Sequence, residues 1–292
     1  MQINAVHIVS NRADCLMGGA GIVGQMLQNA TKHKINWIDN RNTITIKEAS
    51  VGIIYSRDQW PWLRVPKISH VITEVSEKTA FVYKDYDVLV TVAEHAWKMF
   101  KQLRSKVELI ENVARPSFIP GPKDNDLTRD VPILIYCGQF GSHKGTNILI
   151  QAVENLKCEL WLIGDGNIIK PRHENIKFLG IKKEEEIIKY LRSADIFVFP
   201  SQNEGMSLAL LEAMATGLPC VVTKVPGNID TCKEAAVYVE YNVNSLRAGI
   251  IKLIESKQLQ KDLSGLSLEI SKTRKYDVWG KRFVSLIEET IK

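Results

Sequence analysis

Two acidic side chains flank a turn in the second half of the chain. Glu204 precedes Gly205, and Glu212 follows eight positions after Glu204 in a helical pattern. A loop carboxylate can accept hydrogen bonds from sugar-like hydroxyls, and a helix carboxylate offers two acceptor oxygens to a vicinal diol such as ribose. The alternative is a loop charge and a solvated helix residue. Leu208, Leu211 and the neighbouring alanines predict a mostly buried helix instead, where a carboxylate needs a partner.

The backbone of the same turn could bind an anion. The segment FVFPSQNEGMSLALLEAMATGLPCVVT, residues 197–223, predicts a strand, a short loop and a helix that begins near Met206 or Ser207 and ends at Gly217. Ser207 is a suitable N-cap, and Gly205 lets the backbone approach a ligand with no Cβ in the way. The N–H groups of these residues would point out of the helix N-terminus, which favours a phosphate.

Short β-branched segments alternate with helical patterns along the whole chain. The predicted strands are residues 5–10, 35–39, 51–56, 68–73, 87–92, 133–138, 159–164, 176–180, 196–200, 219–223 and 236–240. The predicted helices are residues 21–33, 93–104, 145–155, 184–193, 207–216, 244–256, 259–272 and 276–291. Nearly continuous apolar strands separated by helices predict parallel sheets covered on both faces. Ligands of such α/β sheets bind beyond the carboxyl ends of the strands, so the loops there should carry the chemistry.

The composition changes in the middle of the chain. Residues 112–132 contain four prolines and alternating charges, which is typical of a connection between domains. We therefore predict an α/β protein with an N-terminal domain over 1–114 and a linker over 115–132. A C-terminal domain over 133–275 follows, and a final helix over 276–292.

Several ordered segments of the second half resemble the retaining GT-B glycosyltransferases of family 4, which carry an E-x7-E segment. The similar segments are PSQNEGMSLALLEAMATGLPCVVT, YCGQFGSHKGTNILIQAV, LIGDGN, IKFLG with IIKYLRSADIFVFPS, and YDVWGKRFVSLIEETI. The resemblance implies the GT-B fold, in which two Rossmann-like domains face each other across a cleft, here with a shortened N-terminal domain. The last segment resembles the helix that crosses back to the first domain in that family.

This resemblance also implies an activity and a set of site residues. A hexose would move from a UDP- or GDP-linked sugar to a hydroxyl of a glycan, a lipid-linked or another acceptor, with retention of configuration and with no metal or other cofactor. Glu204 would contact the donor sugar, Glu212 the ribose hydroxyls, and Lys144 would neutralise the leaving phosphate. The implied donor-binding residues are Gly18, Gly19, Gln139, Lys144, Gly205, Met206, Ser207, Leu208 and Glu212.

One position departs from the family pattern. Gln139 stands where the family has an arginine, so a positive charge is missing beside the leaving diphosphate. Losing one such contact would cost about 2–4 kcal/mol of transition-state stabilisation unless another cation replaces it. The candidates for replacement are Arg12, His143, Arg172 and Lys224. A nucleotide-sugar-binding subunit with impaired catalysis therefore stays an open alternative.

The first half carries weaker signals. His70 lies near the position of a sugar-contacting histidine of the family, although the register differs by about two residues and a lone strand histidine is more often structural. Gly19-x-Gly21-x-x-Gly24, followed by Asp39, has the spacing of a dinucleotide-binding fingerprint. In that fingerprint the first glycine directly follows the strand, whereas NRADCLMG intervenes here, which argues against an NAD-dependent oxidoreductase. We expect Gly18 and Gly19 to close over the donor instead.

The composition limits which kinds of ligand and which cellular location are expected for the protein. A hydrophobic content of 45% and a charged content of 24% are those of a soluble globular protein. The net charge of +5 is too diffuse to indicate nucleic acid, although it suits anionic ligands or an anionic membrane. The basic amphipathic segment 93–106 could touch such a membrane peripherally, but such stripes more often pack on their own sheet. Five cysteines without a C-x-x-C pair, no metal-ligand spacing, no signal-peptide pattern and no long apolar run favour a cytoplasmic protein.

Overall fold

The structure, a computed structural model, forms two compact units. Unit 1 comprises Met1–Val113 and Arg274–Lys292, and unit 2 comprises Ala114–Thr273. Within these units the structure describes residues 3–8, 19–38, 51–54, 67–71, 86–103, 106–168 and 173–292.

The described strands and helices alternate as the sequence predicts. The strands are β1 (Ile3–Ile8), β2 (Ile35–Ile38), β3 (Val51–Ile54), β4 (Lys67–Val71), β5 (Val88–Thr91), β6 (Val107–Leu109), β7 (Ile133–Cys137), β8 (Glu159–Ile163), β9 (Ile176–Gly180), β10 (Ile196–Phe199), β11 (Cys220–Thr223) and β12 (Ala236–Val239). The helices are α1 (Gly19–Thr31), α2 (Glu94–Leu103), α3 (Thr146–Val153), α4 (Glu184–Ser193), α5 (Leu208–Ala215), α6 (Pro226–Cys232), α7 (Val243–Glu255), α8 (Lys257–Thr273) and α9 (Tyr276–Thr290).

Each unit contains a parallel sheet in which the order of the described strands reverses, near the edge in unit 1 and at the middle in unit 2. The described strands of unit 1 have the order β2-β1-β3-β4-β5-β6, and those of unit 2 have the order β12-β11-β10-β7-β8-β9. In unit 2 the chain starts at the central strand β7, builds outwards through β8 and β9, and returns to add β10 beside β7. Such a reversal separates the loops that follow the two adjacent strands and leaves a crevice for ligands.

The sheet of unit 2 is fully buried at its centre. All residues of β7, β10 and β11 are buried, which explains why their sequences are continuous apolar runs and not alternating patterns. Trp161, Tyr136 and Phe197 are among the largest fully buried side chains. The rings of Tyr136 and Phe199 stack with their centroids 5.9 Å apart. This packing fixes the strand ends from which the site loops leave.

Three features differ from the sequence prediction. Strand β6 was not among the predicted strands. Helix α6 was not predicted; it begins with Pro226 and Gly227, residue types that locally favour a turn. Residues 115–132, interpreted as a linker, belong to unit 2, where Phe118 is buried in the core cluster. The 3₁₀ turn Asn125–Leu127 lies within this segment.

Helix α2, for which packing on the sheet was favoured over membrane contact, packs partly against its own sheet. Phe100 is buried, and the indole N–H of Trp97 donates to the carbonyl of Val107 at 3.2 Å. Leu103 is exposed. None of the helices that the structure describes is long and apolar enough to cross a membrane.

Helix α9 packs against α1 within unit 1. The hydroxyl of Tyr276 donates to the carbonyl of Met26 at 2.6 Å. Trp279 and Phe283 are buried on the same helix. A Cβ added to Gly280 would lie 2.7 Å from the Cβ of Ala30, so the two helices approach each other at a position that has room only for glycine.

We expect Gly280→Ala to destabilise unit 1 by about 1–3 kcal/mol, because the added methyl forces the helices apart. Unfolding in urea measures this change. The matched control is Gly265→Ala in α8, where a Cβ meets no atom within 4 Å, and we expect that variant to be neutral or slightly more stable. Equal stability of the two variants would contradict the close packing.

Candidate functional site

The predicted site residues of the second half lie at the reversal point of the unit 2 sheet. Strands β7 and β10 are neighbours, with Ile135 paired to Phe197. The loop after β7 carries Gln139 and Lys144, and the loop after β10 carries Glu204. Because both strands run in the same direction, their two loops leave from the same edge of the sheet.

Glycines at strand ends bring the backbones of the site loops into direct contact. Gly164 has φ +131, and its Cβ would lie 2.0 Å from the carbonyl oxygen of Gly138. Gly166 has φ +143, and its Cβ would lie 2.2 Å from the carbonyl oxygen of Phe140. The N–H of Phe140 donates to the carbonyl of Asp165 at 2.6 Å. The loops after β7 and β8 therefore form one layer of packed backbone, and the G-D-G segment supplies the glycines that it requires.

The turn that carries Lys144 is attached to the loop after β10. Gly145 adopts φ +71, and a Cβ there would lie 2.0 Å from the carbonyl oxygen of Pro200. The N–H of Gln202 donates to the carbonyl of His143 at 2.9 Å. From the other side, the hydroxyl of Tyr241 donates to the carbonyl of Ser142 at 2.5 Å. These backbone contacts bring Lys144 beside Glu204.

Lys144 and Glu204 form an ion pair. The Nζ atom of Lys144 lies 2.6 Å from Oε1 of Glu204, and the two side chains are 25% and 10% exposed. Two residues that the sequence predicts to be catalytic, 60 positions apart, thus meet in one contact. The exposed part of Lys144 leaves the ammonium accessible to a ligand.

The turn between Glu204 and α5 has the predicted helix start. Ser207 is the N-cap of α5, and its hydroxyl accepts a long hydrogen bond of 3.5 Å from the N–H of Leu210. The helix begins at Leu208, within two residues of the predicted start, and Gly217 follows its C-cap with φ +86. Gly205 and Met206 are buried. The predicted N-cap and the terminating glycine are confirmed.

Helix α6, which the sequence did not predict, packs directly against the backbone of this turn. A Cβ on Gly227 would lie 2.1 Å from the carbonyl oxygen of Glu204 and 2.2 Å from that of Gly205. One residue later, the side-chain amide of Asn228 donates to the carbonyl oxygen and the hydroxyl of Thr223 at 3.0 and 3.1 Å. The Thr223 hydroxyl in turn donates to the carbonyl of Ser201. Buried hydrogen bonds thus connect α6 to the ends of β10 and β11.

Glu212 lies on α5 with both carboxylate oxygens bound by one arginine. Its side chain is 5% exposed. Nε of Arg115 donates to Oε1 of Glu212 at 2.5 Å, and Nη2 donates to Oε2 at 3.1 Å. This forked arrangement is that of an ionised pair. The sequence indicated that a buried carboxylate here needs a partner, but it did not identify Arg115.

The pair is extended by a second acid. Nη1 of Arg115 lies 2.7 Å from Oε2 of Glu184. Burial raises the pKa of the Glu212 carboxyl, and the hydrogen bonds and charge of Arg115 act against that shift. Burial also disfavours the charged form of Arg115, but its contacts with Glu212 and Glu184 outweigh burial and raise the pKa of the guanidinium.

The remaining predicted residues have different outcomes. Gln139 is exposed, and its carbonyl accepts a hydrogen bond of 2.7 Å from the hydroxyl of Tyr136. His143 and Lys224, two candidates for the missing cation, are exposed. The other two candidates, Arg12 and Arg172, lie outside the described residues.

In unit 1 the predicted residues are only partly described. Gly18 and Asp39 lie outside the described residues, Gly19 begins α1, and His70 lies in β4 with its side chain outside the described part. Strand β1 ends at Ile8 and α1 begins at Gly19, while residues 9–18 between them lie outside the described residues. Within the described residues, no group of three or more His, Cys, Asp or Glu side chains could hold a metal ion.

Comparison with curated proteins finds partial matches among glycosyltransferases. An uncharacterized glycosyltransferase of Methanocaldococcus jannaschii is 30% identical over 149 residues, which cover 47% of this chain and 42% of that protein. The UDP-Gal:alpha-D-GlcNAc-diphosphoundecaprenol alpha-1,3-galactosyltransferase of Escherichia coli is 32% identical over 109 residues, which cover 34% of this chain and 28% of that protein. The chain therefore spans less than half the length of either relative.

Solved structures match over almost the whole chain. Anabaena HepE, in complex with UDP and glucose, superposes with a TM-score of 0.80 at 12% identity, over 99% of this chain and 100% of that one. WaaG, a glycosyltransferase involved in lipopolysaccharide biosynthesis, superposes with a TM-score of 0.74 at 13% identity, over 98% of this chain and 99% of that one. The predicted α/β class and GT-B fold are confirmed. The family model for glycosyl transferases group 1 matches residues 121–265. These residues, which include both glutamates of the site and Lys144, belong to the glycosyl transferases group 1 family.

Proposed function

We propose that this protein transfers a hexose from a nucleoside-diphosphate sugar to a hydroxyl of a glycan or lipid-linked acceptor, with retention of configuration. The observation that carries the proposal is the contact of 2.6 Å between Lys144 and Glu204 at the reversal point of the unit 2 sheet. It combines an accessible cation with a carboxylate beside the N-terminus of α5.

Lys144 can serve the leaving diphosphate while it stays paired. An ammonium has three donors, and the contact with Glu204 uses one of them. Two donors therefore remain for phosphate oxygens. The N–H groups at the start of α5 add a fixed positive field, because the first turn of a helix leaves them without intrahelical partners. Together they would stabilise the charge that develops when the sugar departs.

Glu204 has a second role in this proposal. One of its oxygens accepts from Lys144, and the other can accept from a sugar hydroxyl. Glu212 would accept from the ribose hydroxyls. No enzyme nucleophile and no metal ion enter the proposed reaction, since positioning and charge stabilisation account for catalysis.

The names of the similar proteins favour a uridine nucleotide and a glycan acceptor. HepE binds UDP and glucose, and the E. coli relative is named for transfer from UDP-Gal to a diphosphoundecaprenol-linked sugar. We propose the same classes of donor and acceptor here. GDP-linked sugars stay within the proposal, because the roles proposed for Lys144, Glu204 and Glu212 concern the diphosphate, the sugar and the ribose, and not the base.

A second candidate is a nucleotide-sugar-binding subunit with weak or no turnover. The observation that favours it is Gln139, an exposed neutral residue where the similar family has an arginine. Its backbone carbonyl is held by Tyr136 at 2.7 Å. This hydrogen bond holds the backbone of the loop, while the side chain of Gln139 supplies no positive charge.

Calorimetry with UDP, GDP, UDP-glucose, GDP-mannose and NAD, paired with a donor-hydrolysis assay, tests the function. We expect a nucleoside diphosphate and its sugar conjugate to bind, NAD not to bind, and slow hydrolysis of the bound donor. Tight NAD binding without nucleoside diphosphate binding would overturn the proposal. Nucleotide binding with no turnover on any donor and acceptor would favour the impaired subunit.

The two glutamates should differ in what they affect. We expect Glu212→Gln and Glu212→Ala to weaken binding of the nucleoside diphosphate by about tenfold or more, since they remove charge-assisted hydrogen bonds. Glu204→Ala should leave nucleotide affinity nearly unchanged and abolish transfer. Calorimetry and a transfer assay separate the two effects, with exposed Glu174→Ala as the control. Equal, negligible effects of both substitutions would remove these assignments.

Gly227→Ala tests the support beneath the turn. The added Cβ would displace the carbonyls of Glu204 and Gly205, and a misplacement of about 1 Å can cost about a hundredfold in rate. We therefore expect transfer to fall by about that factor while far-UV circular dichroism shows a folded protein. Gly265→Ala is the matched control, because it adds the same methyl to a helix with open space around it. A fully active Gly227→Ala protein would show that α6 does not position the turn.

A further inference from the structure

We infer that Arg115 is the positioning residue for ribose recognition: it holds the Glu212 carboxylate, ionised and in one orientation, for the two hydroxyls of the nucleotide ribose. The inference rests on the proposed function and concerns the same site. Arg115 lies outside the E-x7-E segment, 97 positions from Glu212. Its segment reads in the sequence as a proline-rich linker.

The geometry of the contact leaves Glu212 able to bind a diol. Arg115 approaches with two different nitrogens, at 2.5 Å from Oε1 and 3.1 Å from Oε2. A carboxylate has about four lone-pair sites, two on each oxygen. The fork of Arg115 uses one site on each oxygen, so one site on each remains. Two neighbouring hydroxyls of a ribose match those two sites.

The charge of Arg115 keeps both oxygens of Glu212 available as hydrogen-bond acceptors. Glu212 is 4% exposed, and burial alone favours its neutral form. A protonated carboxyl would carry an O–H donor on one oxygen and could no longer accept from both hydroxyls. Cys137 lies close enough to Glu212 for the glutamate charge, together with burial, to raise the pKa of its thiol. The thiol is therefore neutral and does not stabilise the carboxylate as a cation would. Among the described contacts, the cation on Glu212 is Arg115.

Arg115 is itself held on its remaining sides. Nη1 is paired with Glu184 at 2.7 Å, and Glu184 accepts a hydrogen bond from the hydroxyl of Ser117. The guanidinium carbon lies 4.6 Å from the ring centroid of Phe118. The side chain is 16% exposed. A residue fixed by this many contacts can impose its orientation on the carboxylate that it binds.

A purely structural role makes a different prediction. If Arg115 only attached residues 115–118 to α4 and α5, its loss would lower stability and weaken all ligands equally. A positioning residue acts on both ribose hydroxyls, so its loss should weaken a ribonucleotide more than the matching 2′-deoxynucleotide, which keeps only the 3′-hydroxyl. The contrast between UDP and 2′-deoxy-UDP therefore separates the two roles.

The experiment measures the affinities of UDP and 2′-deoxy-UDP by calorimetry for the unmodified protein, Arg115→Lys and Arg115→Ala. We expect the unmodified protein to prefer UDP by about tenfold or more, the size of one lost hydrogen bond to a charged group. In Arg115→Ala the preference for UDP should disappear, because UDP loses two positioned contacts with Glu212 and 2′-deoxy-UDP loses only one. Arg115→Lys keeps the charge but not the fork, and should retain an intermediate preference.

Lys123→Ala is the matched control. Lys123 attaches the same segment to the rest of unit 2 through an ion pair of 2.7 Å with Asp195, and this ion pair does not involve Glu212. We expect this variant to keep the full preference for UDP. An unchanged preference in both Arg115 variants would overturn the inference while leaving the proposed function standing. An unmodified protein that binds UDP without any preference over 2′-deoxy-UDP would overturn the ribose role of Glu212 and the inference with it. A protein that binds neither UDP nor GDP would overturn the proposed function, and one that binds only GDP is tested with GDP and 2′-deoxy-GDP in the same way. If Arg115→Ala does not fold, the ratio of the UDP affinity to the 2′-deoxy-UDP affinity in Arg115→Lys tests the inference.

Discussion

Backbone lies directly against backbone throughout the unit 2 site, and the arrangement depends on this contact. Gly145 meets the carbonyl of Pro200, Gly164 meets that of Gly138, and Gly227 meets that of Glu204. At each of these positions a Cβ would come within about 2 Å of an oxygen, so no other residue type fits without movement. Because the loops are locked in this way, the side chains that they carry inherit fixed positions. The ion pair of Lys144 with Glu204 is the result.

Charge burial is the second constraint. The site holds two acid–base pairs of different character: Lys144 with Glu204 is partly open, and Arg115 with Glu212 is nearly closed to solvent. An open pair can exchange a contact for a ligand at little cost, whereas a buried ion left without its partner is strongly destabilising. In the proposed reaction, flexible Lys144 therefore suits the diphosphate, which departs. Rigid Arg115 suits Glu212, whose carboxylate must stay in place for the ribose.

Much of the fold could be predicted from the sequence, because the signals are local. The buried strands β7 and β10 are continuous apolar runs, and Ser207 and Gly217 mark the ends of α5 by well-known capping preferences. The general rule for α/β sheets also predicted that the loops after the strands carry the site, but the contact of Lys144 with Glu204 was not predicted.

The rest depends on contacts between distant positions. Arg115 lies 97 positions from Glu212 and 69 from Glu184, and prolines beside it made its segment read as a linker. Helix α6 begins with Pro226 and Gly227, which locally favour a turn, and the buried hydrogen bonds of Asn228 stabilise the helix instead. No periodicity in the sequence encodes such partners. The assignments to Gly18, Gly19 and His70 stay predictions.

The contact of Arg115 with Glu212 also has a consequence for inheritance. Among the described contacts, Arg115 is the cation that pairs with the buried carboxylate of Glu212. Replacing either residue leaves the other charge buried without its partner, and a second replacement at the other position removes that unpaired charge. Descendants of this chain should therefore keep both residues or lose both, and positions 115 and 212 should covary although nearly a hundred residues separate them. That covariation would record in the sequence a partnership that no single sequence can display.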